Sequence, residues 1–171
     1  MSRRLYLVRH AKSSWKQVEL DDHDRPLSGR GRRASDLLAR HLREQGIVPA
    51  LVLCSTARRT RETLERIAPA LPRRTRVLYE EELYGASATT LLGRLRGVPD
   101  EVASVMLIGH NPAVEDLALE LARPSAERHE LAVKFPTGAL ATLSVPGGSW
   151  RALDHGAAEL VAFVRPRELE R

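Results

Sequence analysis

The sequence predicts an α/β protein, a three-layer α/β/α sandwich around a mostly parallel central sheet. Short apolar runs alternate with amphipathic segments along the chain. Strands that alternate with helices are joined by crossover connections, which make neighbouring strands parallel. The chain has 171 residues, of which 43% are hydrophobic, a size and composition suited to one core. We therefore expect residues 1–171 to form a single domain.

The elements can be placed in order from their hydrophobic pattern. The apolar run 5–8 predicts a first strand, and after a polar loop the segment 31–45 has apolar residues at helical spacing until Gly46. A continuous apolar run then predicts a buried strand at 50–54, and two prolines end the helix that follows it. By the same criteria, helices are predicted at 57–70, 88–96 and 112–121, and strands at 76–79, 101–108, 139–145 and 159–164.

Composition argues against several classes of partner. The net charge is +5, but basic and acidic residues are interleaved and only 4% of residues are aromatic, so we expect no nucleic-acid partner. The N-terminal residues include too few apolar side chains for a signal peptide, and no segment is long enough to span a bilayer. The single cysteine, Cys54, excludes an intramolecular disulfide, which is typical of a cytoplasmic protein.

Three of the predicted strands end next to residues whose side chains can bind or react with a ligand. The first ends at Arg9 and His10, the second leads into the arginine-rich segment 55–63, and the fourth ends at His110. Because the carboxyl ends of parallel strands meet at one edge of a sheet, these residues are expected to form one site. Each of these residues has an ordinary structural explanation when taken alone. Their convergence at one edge of the sheet favours a functional site.

Two histidines and several arginines, without an evident set of metal ligands, indicate phosphoryl transfer. The guanidinium fork matches phosphate oxygens and stays charged near neutral pH. A neutral imidazole can attack phosphorus and become phosphohistidine, and the adjacent arginine disfavours its protonated form. A second histidine can donate to the phosphoryl oxygens, and a carboxylic acid can protonate the leaving group. This chemistry needs neither a metal nor a cofactor.

The chain resembles the histidine phosphatase superfamily, formerly grouped with the phosphoglycerate mutases, and within it the SixA-like branch of phosphohistidine phosphatases. The motifs that carry the resemblance are Val8–Ser13, Ser55–Thr63, Leu83–Gly85 and Ile108–Asn111, in this order. The resemblance implies a phosphoglycerate mutase-like fold. It also implies a phosphate clamp of Arg9 and Arg59, His10 as the nucleophile and His110 as the second imidazole. Arg59 is preferred to Arg58 because the family's clamp arginine lies four residues after the motif serine, here Ser55.

The resemblance implies a proton donor as well. In many members a glutamate four residues before a glycine has this role, and counting back from Gly85 indicates Glu81, with Glu82 as the alternative. At one position where mutase-like members often have asparagine, this chain has Lys16, which leaves Lys16 or Ser13 as an extra phosphate contact.

Other polar motifs receive ordinary interpretations. The acidic cluster Asp21–Asp24 is interpreted as a solvated loop beside the site, since neighbouring loop residues seldom all face one metal ion. Gly29–Gly31 is interpreted as a turn and helix start. The segment Phe135–Gly138 resembles one found in SixA-like proteins, without a role that the residues themselves indicate.

The short segment between Gly85 and His110 has room for one helix and one strand, without the inserted segments that cover the site in mutases. An open site admits a phosphorylated side chain of another protein. The leading hypothesis is therefore a monomeric phosphatase for protein phosphohistidine. The alternatives are a phosphatase for a small phosphate ester or anhydride, and a noncatalytic phosphate-binding protein.

Overall fold

A computed structural model describes residues 2–170 and shows a single six-stranded sheet flanked by helices. The strands are β1 (Arg3–Arg9), β2 (Leu51–Ser55), β3 (Arg76–Glu80), β4 (Ser104–Gly109), β5 (Leu140–Val145) and β6 (Glu159–Val164). The helices are α1 (Gly29–Glu44), α2 (Arg58–Ile67), α3 (Ala88–Arg96), α4 (Ala113–Leu121), α5 (Ala126–Val133) and α6 (Pro166–Leu169).

The strand order is β3-β2-β4-β1-β5-β6. The first four strands of the chain pair in parallel, β5 is antiparallel to β1, and β6 is antiparallel to β5. The predicted mostly parallel sheet is therefore confirmed. The predicted helix 57–70 is shorter, because α2 ends at Ile67 and Pro69 lies in a 3₁₀ turn that follows. The helices α5 and α6 are short and were not predicted from the sequence.

Alternating side chains of the strands form a core on each face of the sheet. Leu5 and Leu7 pack on one face with the apolar residues of α3 and α4. Tyr6 and Val8 pack on the other with those of α1 and α2. This is the expected three-layer sandwich. No helix within the described part of the chain is long and apolar enough to cross a bilayer.

The start of α1 anchors the backbone that follows β1. The Ser28 side chain caps the helix by accepting from the Gly31 amide, and it also donates to the Lys12 carbonyl. A Cβ atom on Gly31 would lie 2.0 Å from the oxygen of Lys12, so only glycine allows this approach. The interpretation of Gly29–Gly31 as a helix start is confirmed, and the contact holds the segment just after His10 in place.

Candidate active site

The carboxyl ends of β1, β2 and β4 bring the predicted catalytic side chains together. Arg9 ends β1 and His10 follows it, while His110 follows β4. The rings of the two histidines are 5.3 Å apart between centroids. Arg59, from the first turn of α2, places Nη2 3.5 Å from Nδ1 of His110. The structure thus gathers the four residues that the motifs indicated.

The ring of His10 is held by a hydrogen bond to the backbone. Its Nδ1 lies 2.7 Å from the Ala11 carbonyl oxygen. Because a carbonyl can only accept, we assign the ring proton to Nδ1, which leaves a lone pair on Nε2. The residue is 7% exposed. Burial lowers the pKa of His10 to about 3, with smaller contributions from His110 and the arginines. The neutral form was expected, but its main cause is burial, not the adjacent arginine.

Backbone contacts fix the position of this histidine. The Ala11 amide donates to Thr63 Oγ1 at 3.0 Å, and that hydroxyl donates to the Arg59 carbonyl at 2.7 Å. The Gly138 amide lies 3.0 Å from the carbonyl oxygens of both Arg9 and His10. The end of β1 is therefore tied to α2 on one side and to the chain before β5 on the other.

Arg9 is held by the segment that leads into β5. Its Nη1 donates to the Phe135 carbonyl at 3.0 Å, which also accepts from Asn111 Nδ2 at 3.1 Å. The Phe135 amide donates to Glu115 at 3.0 Å. Burial lowers the pKa of Arg9, while the negative charge of Glu115 raises it. These contacts give the segment Phe135–Gly138 a structural role, which is to hold the Arg9 side chain in position.

Arg59 is buried, with 6% of its surface exposed, although it is the second residue of a surface helix. Its Nη1 donates to the Asp22 carbonyl at 2.7 Å, and its Nη2 donates to Asp22 Oδ2 at 3.0 Å. The Nε atoms of Arg59 and Arg9 are buried and have no hydrogen-bond partner among the described residues. Buried donors without acceptors are costly, and arginine side chains in this state bind oxyanions readily.

Asp22 is a site residue that sequence reasoning missed. The loop that contains Asp22 was expected beside the site, but no role in the site was predicted for Asp22 itself. Besides binding Arg59, the Asp22 carboxylate accepts from the Tyr84 hydroxyl at 2.6 Å and from Arg25 Nε at 3.2 Å. These hydrogen bonds, that from Tyr84 foremost, lower the pKa of Asp22 to about 2. The only available signal was Tyr84, which lies in the family motif that was used to locate the proton donor.

Ser55 sets the proton position on His110. Its hydroxyl lies 2.8 Å from His110 Nε2 and already accepts from the Ala57 amide at 3.3 Å. The hydroxyl is fully buried, so its own proton needs an acceptor, and we assign the bond as Ser55 donating to Nε2. His110 then carries its proton on Nδ1, the atom beside Arg59. Burial first, and Arg59 second, lower the pKa of His110 to about 4.

Two N–H donors, Nδ1 of His110 and Nη2 of Arg59, therefore lie 3.5 Å apart. That distance is too long for a strong hydrogen bond between them. One oxygen placed between the two groups would accept from both. The arrangement is complementary to a phosphoryl oxygen bound beside the two histidine rings.

The other predicted site residues do not contact these four side chains. Glu81 begins a 3₁₀ turn directly after β3, on the same edge of the sheet, and is exposed. Glu82 lies in the same turn and is 4.0 Å from Arg94. Ser13 accepts from Arg25 at 2.8 Å, so it supports the Asp22 loop. Lys16 is an exposed residue of that loop. Arg58 is paired with Glu62 at 3.1 Å on the surface, as expected.

The fold and the site define a class of enzyme. The sequence profile of the histidine phosphatase superfamily (branch 1) matches residues 5–112, which include all four gathered side chains. The chain belongs to the histidine phosphatase superfamily. Its fold is phosphoglycerate mutase-like, and its activity is that of a phosphatase.

Within this superfamily the chain is SixA-like. It is 34% identical to a candidate phosphohistidine phosphatase SixA from Nakamurella multipartitia, with a TM-score of 0.83 and 97% of each chain covered. It is 25% identical to the protein histidine phosphatase SixA complexed with tungstate, with a TM-score of 0.80 and coverage of 98% and 99%. An uncharacterized protein of Mycobacterium tuberculosis is 39% identical over 164 residues, which cover 94% of this chain and 100% of that protein.

Proposed function

We propose that this protein removes phosphate from phosphohistidine side chains of other proteins, through a phosphohistidine intermediate on His10. The observation that carries the proposal is the free Nε2 lone pair of His10 beside the donors of Arg59 and His110. A neutral nucleophile and fixed N–H donors, here one cationic (Arg59) and one neutral (His110), favour attack on a charged phosphoryl group.

The proposed reaction has two displacements. Nε2 of His10 attacks phosphorus, the P–N bond of the substrate breaks, and the departing imidazole nitrogen takes a proton from an acid. Water then gives one proton to the carboxylate that the first step left and attacks the phosphorus of phosphorylated His10. The bond between phosphorus and Nε2 breaks, which releases inorganic phosphate and restores the free imidazole and the acid. Arg9 and Arg59 hold the phosphoryl oxygens, and His110 Nδ1–H donates to them as their charge develops.

Glu81 is proposed as the acid that protonates the leaving group, with Glu82 as the alternative. Glu81 is exposed, and its carboxylate makes no hydrogen bond or ion pair within residues 2–170, although its carbonyl accepts from the Tyr84 amide at 3.0 Å. A carboxyl group in this setting is free to approach a bound substrate. Because an imidazole leaves more easily than an alkoxide, the reaction of phosphohistidine requires less from this acid.

The open site supports a protein substrate. Between Gly85 and His110 the chain forms only α3 and β4, with no further element that could cover the pocket. The SixA relative complexed with tungstate supports the phosphatase chemistry, because tungstate is a tetrahedral oxyanion like phosphate. The preference for phosphohistidine over small phosphate esters rests on this openness and on the SixA likeness.

The test combines trapping with substrate comparison. The enzyme is incubated with a histidine-phosphorylated protein and quenched in alkali, and acid-labile phosphate on His10 is measured by mass spectrometry. His10→Ala is expected to abolish the phosphoenzyme and turnover, whereas His129→Ala, which changes an exposed histidine, retains both. Turnover that survives His10→Ala would refute the nucleophile, and absence of any turnover would favour a noncatalytic phosphate-binding protein.

Comparison of kcat/KM across substrates then decides the substrate class. Phosphohistidine proteins are expected to exceed a panel of phosphorylated metabolites. A metabolite with the highest kcat/KM would favour the alternative, a phosphatase for a small ester or anhydride.

A further inference from the structure

A groove of about 650 Å³ opens beside the candidate active site and is rich in positive charge. We call it the basic groove and define it by five cationic side chains that line it, Lys12, Arg30, Arg33, Lys134 and Arg167. They come from four parts of the chain: the loop after β1, the start of α1, the end of α5 and the helix α6. Their convergence is a product of the fold, since no run of basic residues in the sequence contains them.

None of the five cations of the basic groove forms a salt bridge with a residue that the structure describes, and they outnumber the two acidic residues that also line it, Glu130 and Glu170. A sixth lining cation, Arg165, shows the contrast, because it is 2.8 Å from Glu168 and 3.9 Å from Glu130. All five are exposed at the surface. Unpaired like charges in one groove repel each other, so an anionic partner would lower their free energy.

The basic groove lies at the catalytic edge of the sheet. Lys12 is two residues after His10. Pro136, which also lines the groove, directly follows Phe135, whose carbonyl holds Arg9. A molecule in the groove would therefore contact the same segments that position the nucleophile and one clamp arginine.

The groove also has an apolar component. Val133 lines it and is 78% exposed, and Leu37 and Pro136 add further apolar surface. Exposed apolar side chains among unpaired cations favour a partner that presents both carboxylates and apolar groups. The described lining residues include no aromatic side chain, so the groove offers no surface on which bases could stack.

The distribution of charge favours a protein segment over a small anion. Small-ligand sites enclose their ligand and direct a few buried polar groups at it. Here the cations are exposed and spread over four elements, which suits an extended acidic surface.

We propose that the basic groove docks an acidic, partly apolar segment of the protein that carries the phosphohistidine, next to the phosphorylated residue. The inference rests on the proposed function and names the kind of substrate protein that the enzyme prefers. Docking raises the local concentration of the phosphoryl group at His10. It should therefore lower KM for protein substrates and leave kcat/KM for a small substrate unchanged.

The test uses the double variant Arg30→Glu/Arg33→Glu. Both residues are exposed in the first turns of α1, where acidic side chains are compatible with the helix dipole, so the fold is retained. The matched control is Arg73→Glu/Arg74→Glu, which makes the same charge change in an exposed loop before β3, at the opposite edge of the sheet. Circular dichroism checks both variants.

The substrates are two synthetic peptides of equal length with one phosphohistidine each, one flanked by glutamate and leucine and the other by lysine and leucine. Free phosphohistidine is the small substrate. We expect the groove variant to raise KM for the acidic peptide about tenfold, as loss of charge complementarity does elsewhere. It should leave kcat/KM for free phosphohistidine unchanged, and the control should resemble the wild type. Equal effects on both peptides, or none, would overturn docking.

Fluorescence anisotropy with the unphosphorylated acidic peptide separates this inference from the proposed function. If the enzyme hydrolyses no phosphohistidine but binds this peptide through the groove, the proposed function fails and the docking surface stands. If phosphohistidine is hydrolysed and the groove variant binds the peptide as tightly as the wild type, the docking proposal fails alone. Tighter binding of single-stranded DNA than of the acidic peptide would also contradict it.

Discussion

The carboxylate of Asp22 lies 3.0 Å from Nη2 of Arg59, so the clamp arginine is already bound to an anionic group of its own chain. The backbone carbonyl of Asp22 also accepts a hydrogen bond from Nη1 of Arg59. An arriving phosphoryl group must compete with this carboxylate. The Asp22 side chain is 50% exposed, so the competition is modest.

We expect Asp22→Asn to tighten the binding of inorganic phosphate. The amide lacks the negative charge that competes for Arg59. The inhibition constant for phosphate should therefore fall roughly twofold to fivefold, because a part-exposed ion pair contributes at most about 1 kcal/mol. Asp36→Asn is the matched control, because Asp36 pairs with Arg66 at 2.9 Å on the far surface. Weaker phosphate binding in Asp22→Asn would mean that Asp22 positions Arg59 and does not compete.

Arg59→Ala should reduce kcat/KM by at least about 100-fold, because it removes a buried cation from the transferring phosphoryl group. Arg58→Ala should change it by less than about threefold, because its ion pair with Glu62 is a surface pair. Steady-state kinetics on one phosphohistidine substrate measures both variants. Equal losses would show that the clamp has been assigned to the wrong arginine.

Ser55→Ala should lower kcat about tenfold with little change in KM, because His110 loses the partner that keeps its proton on Nδ1. Ser35→Ala is a suitable control, since it removes another buried hydroxyl, one that donates to the Gly31 carbonyl at 2.9 Å. NMR of the imidazole nitrogens of His110 reports the tautomer. An unchanged tautomer in Ser55→Ala would contradict the assignment.

Glu81→Gln should impair a phosphate ester more than phosphohistidine, since an alkoxide needs a proton more than an imidazole does. The ratio of kcat values for the two substrates measures the difference. Glu82→Gln is compared in the same assay, and a larger effect there would transfer the role to Glu82.

Acid should destabilise the fold through the two active-site histidines. Their folded-state pKa values, about 3 for His10 and about 4 for His110, lie below the ordinary value of 6.5. The unfolded chain therefore binds more protons as the pH falls below 6.5, and the free energy of unfolding decreases from there toward pH 4. Urea unfolding at several pH values should show a smaller decrease for His10→Asn than for the wild type. His129→Asn should behave as the wild type does.

Much of the fold could be predicted because its signals are local. The buried strands are continuous apolar runs, and α1 and α3 have apolar residues at helical spacing between clear stop signals. The helices α5 and α6 were missed because eight and four residues are too few for a reliable period. The antiparallel direction of β5 was not predictable either, since an apolar run has the same pattern in both directions.

The sequence by itself determined which residues make up the candidate site. Arg9, His10, Arg59 and His110 are recognisable because each lies at the end of a strand or at a fixed spacing in a motif. The tertiary structure alone decided what surrounds them. The carboxylate of Asp22 on the clamp and the cations of the basic groove come from loops and helix ends distant in sequence. Their contacts depend on how the helices and the sheet pack together. Such contacts between loops produce no repeating pattern in the sequence from which they could be predicted.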